Sequence, residues 1–414
     1  MPEIKAFAGI HYDPRRVGDL TKVMTQPYDR INDTLQDEYY HRHEHSFIRV
    51  DKRKGSDYAG AAREFESWLQ SGVLVRDAKP ALYAYHQLYK TPSGETKTRR
   101  GVSAMVKLEE PGKGRIHPHE ETHSGPKIDR RHLLDATKTH LSHVFLLYSD
   151  PKNSVNRLLN PTGRPDLEAK DDYGETHRVW RVDDDETVAD VCRAMKTKDA
   201  IIADGHHRYE TAWSYRVDHP EATHVLATLI NMDDEGLTIF GTHRLIRGYA
   251  RWDFEAVLNT AARQFEIREY TDRKKLLSEL RDVGEKRPAF GAASYDRLYL
   301  FVVSDVKKAA AQVKAKKSEA WRSLDVNLLH SIVLEGIIGI TPEHTKREMY
   351  VEYLRSADET LDRVANDGEV QGAFLVNPVK IDQIRKIVKQ GERFPQKTTD
   401  FYPKLLSGLV MARI

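Results

Sequence analysis

The stretch at 200–216 places three side chains that can carry a positive charge at the start of a predicted helix. An apolar run at 200–203 predicts a short buried strand, and the helical spacing of Tyr209, Ala212 and Trp213 predicts a helix after it. The polar residues between these two elements are Asp204, Gly205, His206, His207 and Arg208. Cations oppose the positive end of a helix dipole, so this pattern favours a site where an anion offsets them.

The chemistry that this segment allows is phosphate binding. The first turn of a helix offers unpaired backbone N–H groups to an anion, and Gly205 lets a ligand approach the backbone closely. Arg208 can bind a phosphate through two parallel hydrogen bonds, and His206 and His207 add further N–H donors. Asp204 suits one of three roles: it can bind a magnesium ion, orient a histidine, or act as a general base that takes a proton from a hydroxyl. The alternative is an ordinary helix start, with Asp204 as its N-cap and solvated polar residues after it.

A second group of chemically capable residues lies in a loop rich in Gly, Pro and His at 115–131. One interpretation is a zinc or iron site formed by His117, His119 and His123 with a carboxylate. The spacing differs from that of a helical His-Glu-x-x-His site, and Pro118 disfavours a regular helix here.

The same loop also suits phosphoryl chemistry. Glu120 or Glu121 is then a general base or a magnesium ligand, because carboxylates serve both purposes. Thr122 and Lys127 are candidates for contacts with phosphate oxygens. A third interpretation is a surface loop whose histidines have no common role.

The elements that must position these residues alternate between strand and helix signals along the chain, which predicts an α/β or α+β fold. A helix is predicted at 58–75, strands at 81–90 and 101–110, a buried strand at 143–150, and a strongly apolar helix at 325–340. We predict three regions, and each is expected to mix helices and strands. They are an N-terminal α+β region at 1–114, a catalytic core at 115–248 and a C-terminal α+β region at 249–414.

Composition excludes several classes of protein. The 414 residues include 65 basic and 63 acidic side chains, and this balance argues against a protein held to nucleic acid by bulk charge. No apolar run is long enough to span a membrane, and the N-terminus shows no secretion signal. The one cysteine, Cys192, excludes an internal disulfide and a multi-cysteine zinc site. We expect a cytoplasmic protein with a small-molecule substrate, and a homo-oligomer is compatible with the sequence.

Several motifs together resemble one family of bacterial and archaeal proteins, domain of unknown function 1015, over essentially the whole chain. Gln26 departs from the family pattern, which has a second proline there, and Arg30 replaces a small apolar residue. The motifs are QPYDRI (26–31), HPHEETHSGPKIDRRHLL (117–134), FLLYSD (145–150), ADGHHRYETA (203–212), GTHRL (241–245) and PQKTTDFYPK (395–404).

A more distant resemblance concerns the strand, the Asp-Gly-His-His-Arg motif and the helix. This unit is similar to the phosphate-binding motif of the ParB/sulfiredoxin-like fold, which includes kinases that phosphorylate free serine. The resemblance implies a mixed core of that type between about residues 115 and 248, flanked by α+β elements. It also implies that residues 205–208 hold the phosphates of a nucleoside di- or triphosphate. Glu120 would then activate the acceptor hydroxyl, and Asp204 would assist or hold Mg²⁺.

Three functions follow from these observations. The first is a nucleotide-dependent phosphotransferase, a small-molecule kinase that acts on a small hydroxylated metabolite such as free serine. The second is a regulatory or partner-binding protein that binds a nucleotide with little turnover. The third is a metal-dependent hydrolase centred on His117, His119 and His123.

Overall fold

The computed structural model describes residues 3–92, 94–120 and 124–414. Its strands lie throughout the chain and vary from two to twelve residues in length. They are β1 Ile4–Lys5, β2 Ile10–Tyr12, β3 Leu74–Arg76, β4 Leu82–Lys90, β5 Thr96–Lys107, β6 Ile116–Pro118, β7 Thr139–His140, β8 Val144–Tyr148, β9 Leu167–Lys170, β10 Thr176–Val182, β11 Ala200–Asp204, β12 His224–Asn231, β13 Thr238–Phe240, β14 His243–Arg247, β15 Phe265–Tyr270, β16 Ala289–Ser294, β17 Arg297–Val303, β18 Val351–Leu354, β19 Val370–Val376, β20 Asp400–Tyr402 and β21 Ala412–Arg413.

Helices separate most of these strands. None of the helices in the described residues has the length and apolar character that crossing a membrane requires. The helices are α1 Pro14–Val17, α2 Asp33–Arg42, α3 Ile48–Asp51, α4 Tyr58–Gln70, α5 Ser124–Thr137, α6 Ser154–Leu158, α7 Asp185–Met195, α8 His206–Asp218, α9 Phe254–Ala261, α10 Arg273–Gly284, α11 Val306–Gln312, α12 Glu319–Arg322, α13 Asp325–Leu328, α14 Pro342–Lys346, α15 Ala357–Asn366 and α16 Ile381–Lys389.

The chain divides into two units. Met1–Thr238 and Phe401–Ile414 form the first unit, and Ile239–Asp400 forms the second. The predicted α/β class is confirmed, because each unit builds helices around a sheet. Strands from both sides of the boundary predicted at residue 114 join one sheet, which belongs to the first unit.

The central sheet of the first unit is mixed. Its strand order is β6-β11-β8-β12-β5-β4-β10-β9, and β1 also pairs with β5. β11 is parallel to β6 and antiparallel to β8, whereas β8 and β12 are parallel. Apolar residues fill the middle of this sheet, and Val144, Leu146, Ala200 and Ile202 are among those buried in its core. Because β6 and β11 are parallel, the loops that follow them leave the sheet at the same end of the strands.

The second unit contains an antiparallel sheet with strand order β15-β17-β16-β19-β14-β18. Successive residues alternate between two apolar clusters, as Phe374 and Leu375 on β19 show. Because strand side chains alternate between faces, both faces of this sheet are covered. α9 packs on one face and α10 with α15 on the other.

One helix in the second unit differs from its prediction. The apolar segment predicted as a single α-helix at 325–340 is the short helix α13 followed by a π-helix, Leu329–Ile338. Its apolar residues are buried as expected, since Leu329, Ile332 and Val333 all lie in the core. Apolar spacing predicts a buried helix here, but it does not distinguish the two hydrogen-bonding patterns.

Candidate functional site

The structure contains the predicted unit of a strand, a glycine and a helix, and this unit lies at the carboxyl end of β11. β11 ends at Asp204, Gly205 adopts a left-handed conformation with φ of 82°, and α8 begins at His206. Glycine reaches this conformation without the steric cost that other residues pay. A Cβ atom at 205 would lie 2.9 Å from Nε of Arg208, so a larger residue here would displace that guanidinium.

Arg208 is held in place by two groups, one in the loop before β8 and one at the end of β11. Its Nη1 donates to the carbonyl oxygen of His143, and its Nη2 donates to Oδ2 of Asp204 at 3.3 Å. The side chain is 9% exposed, and its Nε has no hydrogen-bond partner among the described residues. The guanidinium is therefore fixed in orientation. Its Nε–H is left to donate a hydrogen bond to an anion.

Asp204 lies among several cations. Burial opposes its charge, but Lys404, Arg208 and Arg30 outweigh burial, and with a hydrogen bond from the backbone N–H of Gly205 they hold the Asp204 pKa well below its usual range. The carboxyl is thus ionised at neutral pH. Three cations therefore act on one carboxylate beside the positive end of α8.

A fourth cation, Arg99, lies buried in the first unit. It is 1% exposed, and its Nε donates to Oε1 of Gln87 at 2.9 Å. Its Nη2 donates to the carbonyl oxygen of Pro403, and Nε2 of Gln87 donates to that of Lys404 at 2.7 Å. Burial lowers the pKa of Arg99 to about 10. The charges of nearby groups, including Asp204, act in the other direction and raise it. Arg99 remains charged at neutral pH and, with Gln87, fixes the backbone that carries Lys404.

The loop after β6 contacts the start of α8 through two histidines. Nδ1 of His119 donates to the carbonyl oxygen of Ile202, which fixes this ring against β11. Nε2 of His206 accepts from the backbone N–H groups of His119 and Glu120, at 3.3 Å and 3.4 Å. Burial and the neighbouring His119 lower the pKa of His206 to about 3. His206 is therefore neutral, with its proton on Nδ1, and it orients the loop that carries Glu120.

Glu120 lies at the edge of this group of residues. Its Oε1 is 3.4 Å from Nε2 of His119, and its side chain is 18% exposed. The structure therefore brings Glu120 together with His206 of the motif that the sequence singled out. His207 is the second residue of α8 and is half-buried.

The other predicted site residues are placed differently. Lys127 lies on α5, where its Nζ is 2.9 Å from Oε2 of Glu210 on the second turn of α8. Glu121, Thr122 and His123 lie outside the described residues. Their predicted contacts with a metal or with phosphate remain predictions.

The structure adds residues that the motif analysis did not assign to the site. Lys404, Arg30 and Arg99 supply charge, and their segments lie far from residues 204–208 in the sequence. Two of them fall in motifs that carry the family resemblance, at 26–31 and 395–404. These motifs indicated that both segments matter to the family. No local pattern in them predicts that a basic residue lies near Asp204.

Within the described ranges, no three His, Cys, Asp or Glu side chains are arranged to hold a metal ion. His119 already donates from Nδ1 to Ile202. His117 lies on β6, and the third residue of the proposed histidine set is not described. The described residues thus give the metal-dependent hydrolase interpretation no ligand set.

Solved structures similar to this chain include a conserved hypothetical protein from Pyrococcus furiosus, a free serine kinase in complex with AMP, and SbnI with a C-terminal truncation from Staphylococcus aureus. Their sequence identities are 14%, 13% and 12%, and their TM-scores are 0.34, 0.34 and 0.37. The matches cover 69%, 69% and 74% of this chain and 87%, 83% and 85% of those chains.

Comparison of the sequence with known proteins identifies its family. No curated protein matches the chain. The family model described as protein of unknown function (DUF1015) matches residues 4–327, which include both the loop at 115–131 and the motif at 204–208. The match confirms the resemblance inferred from the motifs. The chain belongs to the DUF1015 family.

Proposed function

We propose that this chain binds the phosphates of a nucleoside di- or triphosphate at the start of α8 and transfers a phosphoryl group to a small hydroxylated acceptor. The observation that carries the proposal is the gathering of Arg208, Lys404 and Arg30 around one ionised carboxylate, that of Asp204. The positive end of a helix and fixed cations together form an anion site.

The neighbouring groups support phosphoryl transfer in particular. Arg208 occupies the space over Gly205 and is already oriented by two hydrogen bonds. Such prior orientation is valuable because phosphoryl transfer depends mainly on positioning and charge stabilisation. Asp204 then acts as a positioning residue that orients Arg208, and Lys127 is a further candidate for phosphate contact.

The proposed step uses Glu120 as the general base. The acceptor hydroxyl oxygen forms a bond to the terminal phosphorus of the nucleotide, and the bond from that phosphorus to its bridging oxygen breaks. The hydroxyl proton passes to the Glu120 carboxylate, and the shortened nucleotide leaves with the electron pair of the broken bond. Free serine is one acceptor with the required hydroxyl.

Mg²⁺ fits this arrangement as a partner of the nucleotide. It commonly binds one or two carboxylates together with substrate phosphates, and it supplies neutralisation of phosphate charge. Asp204 fits this role poorly, because it is already surrounded by cations, and Glu120 is assigned to the acceptor proton. Glu121, the ligand predicted from the sequence, is the candidate that remains.

The test combines binding and turnover on the purified protein. A thermal-shift screen with nucleotides and Mg²⁺ identifies the donor, because a ligand that binds the folded chain raises its melting temperature. Nucleotide consumption is then measured with a set of hydroxylated metabolites. Stabilisation by a nucleotide without any phosphorylated product would favour a nucleotide-binding regulatory protein. The absence of nucleotide binding would contradict the proposal.

A further inference from the structure

A cavity of about 290 Å³ lies in the first unit beside the proposed nucleotide site. Its wall is formed by the single turn Tyr28–Arg30, the end of α3, the loop that leads into α4, and α5. Most of the side chains that line it are charged or polar. A pocket of this composition selects a ligand that forms many hydrogen bonds, because polar groups that lose water must be paired again.

One wall of the cavity contains a buried carboxylate that is incompletely paired. Asp51 is 1% exposed, and its Oδ1 accepts from Nη1 of Arg130 at 2.9 Å. Its Oδ2 is buried and has no hydrogen-bond partner among the described residues. Unpaired buried acceptors are rare, so this oxygen indicates a ligand that donates a hydrogen bond to it.

The adjacent residue offers the opposite chemistry. Nζ of Lys52 donates to the carbonyl oxygens of Tyr28 and Ile31, the first at 3.3 Å. An ammonium group has three donors, so one remains for a ligand that accepts. A hydroxyl group donates and accepts at once, and a molecule with several hydroxyls can satisfy both Asp51 and Lys52.

The size of the cavity restricts the ligand further. A cavity of about 150 Å³ holds a six-membered ring such as benzene, and this cavity is about twice that volume. A six-membered ring with its hydroxyl substituents fits the space, whereas a three-carbon molecule such as serine leaves much of it unfilled. Tyr58, which also lines the cavity, offers aromatic surface to the apolar face of such a ring.

The position of the cavity connects it with the proposed transfer site. Asp51 and Arg130 also line a smaller cavity of about 40 Å³, whose wall includes Arg208. The guanidinium of Arg130 lies 4.2 Å from the ring centre of Tyr28. Burial raises the pKa of Tyr28, and the charges of Arg208 and Asp204 are close enough to act on it. A ligand beside Tyr28 is thus near the cations that would hold the phosphates.

We propose that this cavity binds the phosphoryl acceptor and that the acceptor is a polyhydroxylated ring of the size of a monosaccharide or cyclitol. The inference rests on the proposed function, which requires a hydroxylated acceptor. It narrows the acceptor from any small alcohol to a ring-sized polyol held by Asp51 and Lys52.

The test is isothermal calorimetry on the full chain with myo-inositol, D-glucose and serine, followed by separate titrations with ATP and ADP. We expect a ring polyol to bind more tightly than serine. Lys52→Gln should weaken that binding at least tenfold and leave nucleotide affinity unchanged. Asp51→Asn should act in the same direction. If the loss of its pairing with Arg130 unfolds that variant, Lys52→Gln decides the test alone. Lys79→Gln, an exposed lysine outside the cavity, is the matched control.

Three results would overturn the inference. They are tighter binding of serine than of either polyol, no binding of either polyol, and polyol binding that Lys52→Gln leaves unchanged. Failure of the proposed function is recognised separately, because it appears in the titration of wild-type protein with nucleotide. Polyol binding is measured without nucleotide and does not depend on that result.

Discussion

The guanidinium of Arg208 lies directly over Gly205, so that a Cβ atom at 205 would stand 2.9 Å from its Nε. Gly205→Ala should therefore displace Arg208, and it also places a side chain in a left-handed conformation at a cost of roughly 1–2 kcal/mol. We expect nucleotide affinity to fall at least tenfold, measured by calorimetry.

Gly163→Ala is the matched control for this variant. Gly163 has a similar φ of 81°, but no atom lies within 4 Å of the Cβ position there. It should lose comparable stability and keep wild-type nucleotide affinity. Equal affinities for the two variants would show that the contact between Gly205 and Arg208 does not matter for binding.

Lys404 is expected to contribute to binding through its charge near Asp204. A hydrogen bond to a charged group contributes about 1.5–3 kcal/mol, so Lys404→Gln should weaken nucleotide binding by about tenfold or more. Lys107→Gln removes a lysine that pairs with the exposed Glu3, and it should bind like the wild type. Similar affinities for both variants would exclude Lys404 from the anion site.

Asp204→Asn should destabilise the first unit at neutral pH. It removes the carboxylate that offsets Arg208 and Lys404, and loss of one partner of a largely buried hydrogen bond costs about 1–3 kcal/mol. The folded-state pKa of Asp204 is lowered, so its contribution is present above the unfolded value of about 3.9 and is lost as the pH falls. Urea unfolding should show a difference between variant and wild type at pH 7 that shrinks below about pH 4. A constant difference across that range would contradict this assignment.

Buried histidines should make the stability of the first unit depend on pH. Burial lowers the pKa values of His140 and His143 to about 4. The unfolded chain therefore takes up these protons first, near pH 6.5, and stability falls as the pH drops from there towards 4. Each histidine should contribute a slope of about 1.4 kcal/mol per pH unit within this window. His140→Gln should reduce the measured slope by about 1.4 kcal/mol per pH unit, the contribution of one proton. An unchanged slope would show that His140 is not involved.

Local pattern was sufficient to predict the strand, the glycine and the helix that form the motif. The apolar run at 200–203 and the helical spacing after it correspond to β11 and α8, and Gly205 occupies the one conformation there that favours glycine. These features depend on neighbouring residues, and a sequence displays them directly.

The charges around Asp204 could not be predicted in the same way. Lys404 reaches the site because Arg99 and Gln87 fix the backbone at 403 and 404, and those two residues lie on neighbouring strands of the central sheet. This arrangement depends on strand pairing between distant parts of the chain. The π-helix was not predicted for a different reason, since a short and mostly apolar segment indicates a buried helix without resolving its period.

The central claim is tested most directly by measuring phosphorylated acceptor and consumed nucleotide together, in wild type, Arg208→Ala and Glu120→Gln. Arg216→Ala serves as control, because Arg216 lies on the same helix and donates to the carbonyl oxygen of Leu108. The proposed function predicts product in equal amount to consumed nucleotide for wild type and control, and a loss of at least a hundredfold in both site variants with their folds intact. Turnover at the wild-type rate in Arg208→Ala and Glu120→Gln would contradict it.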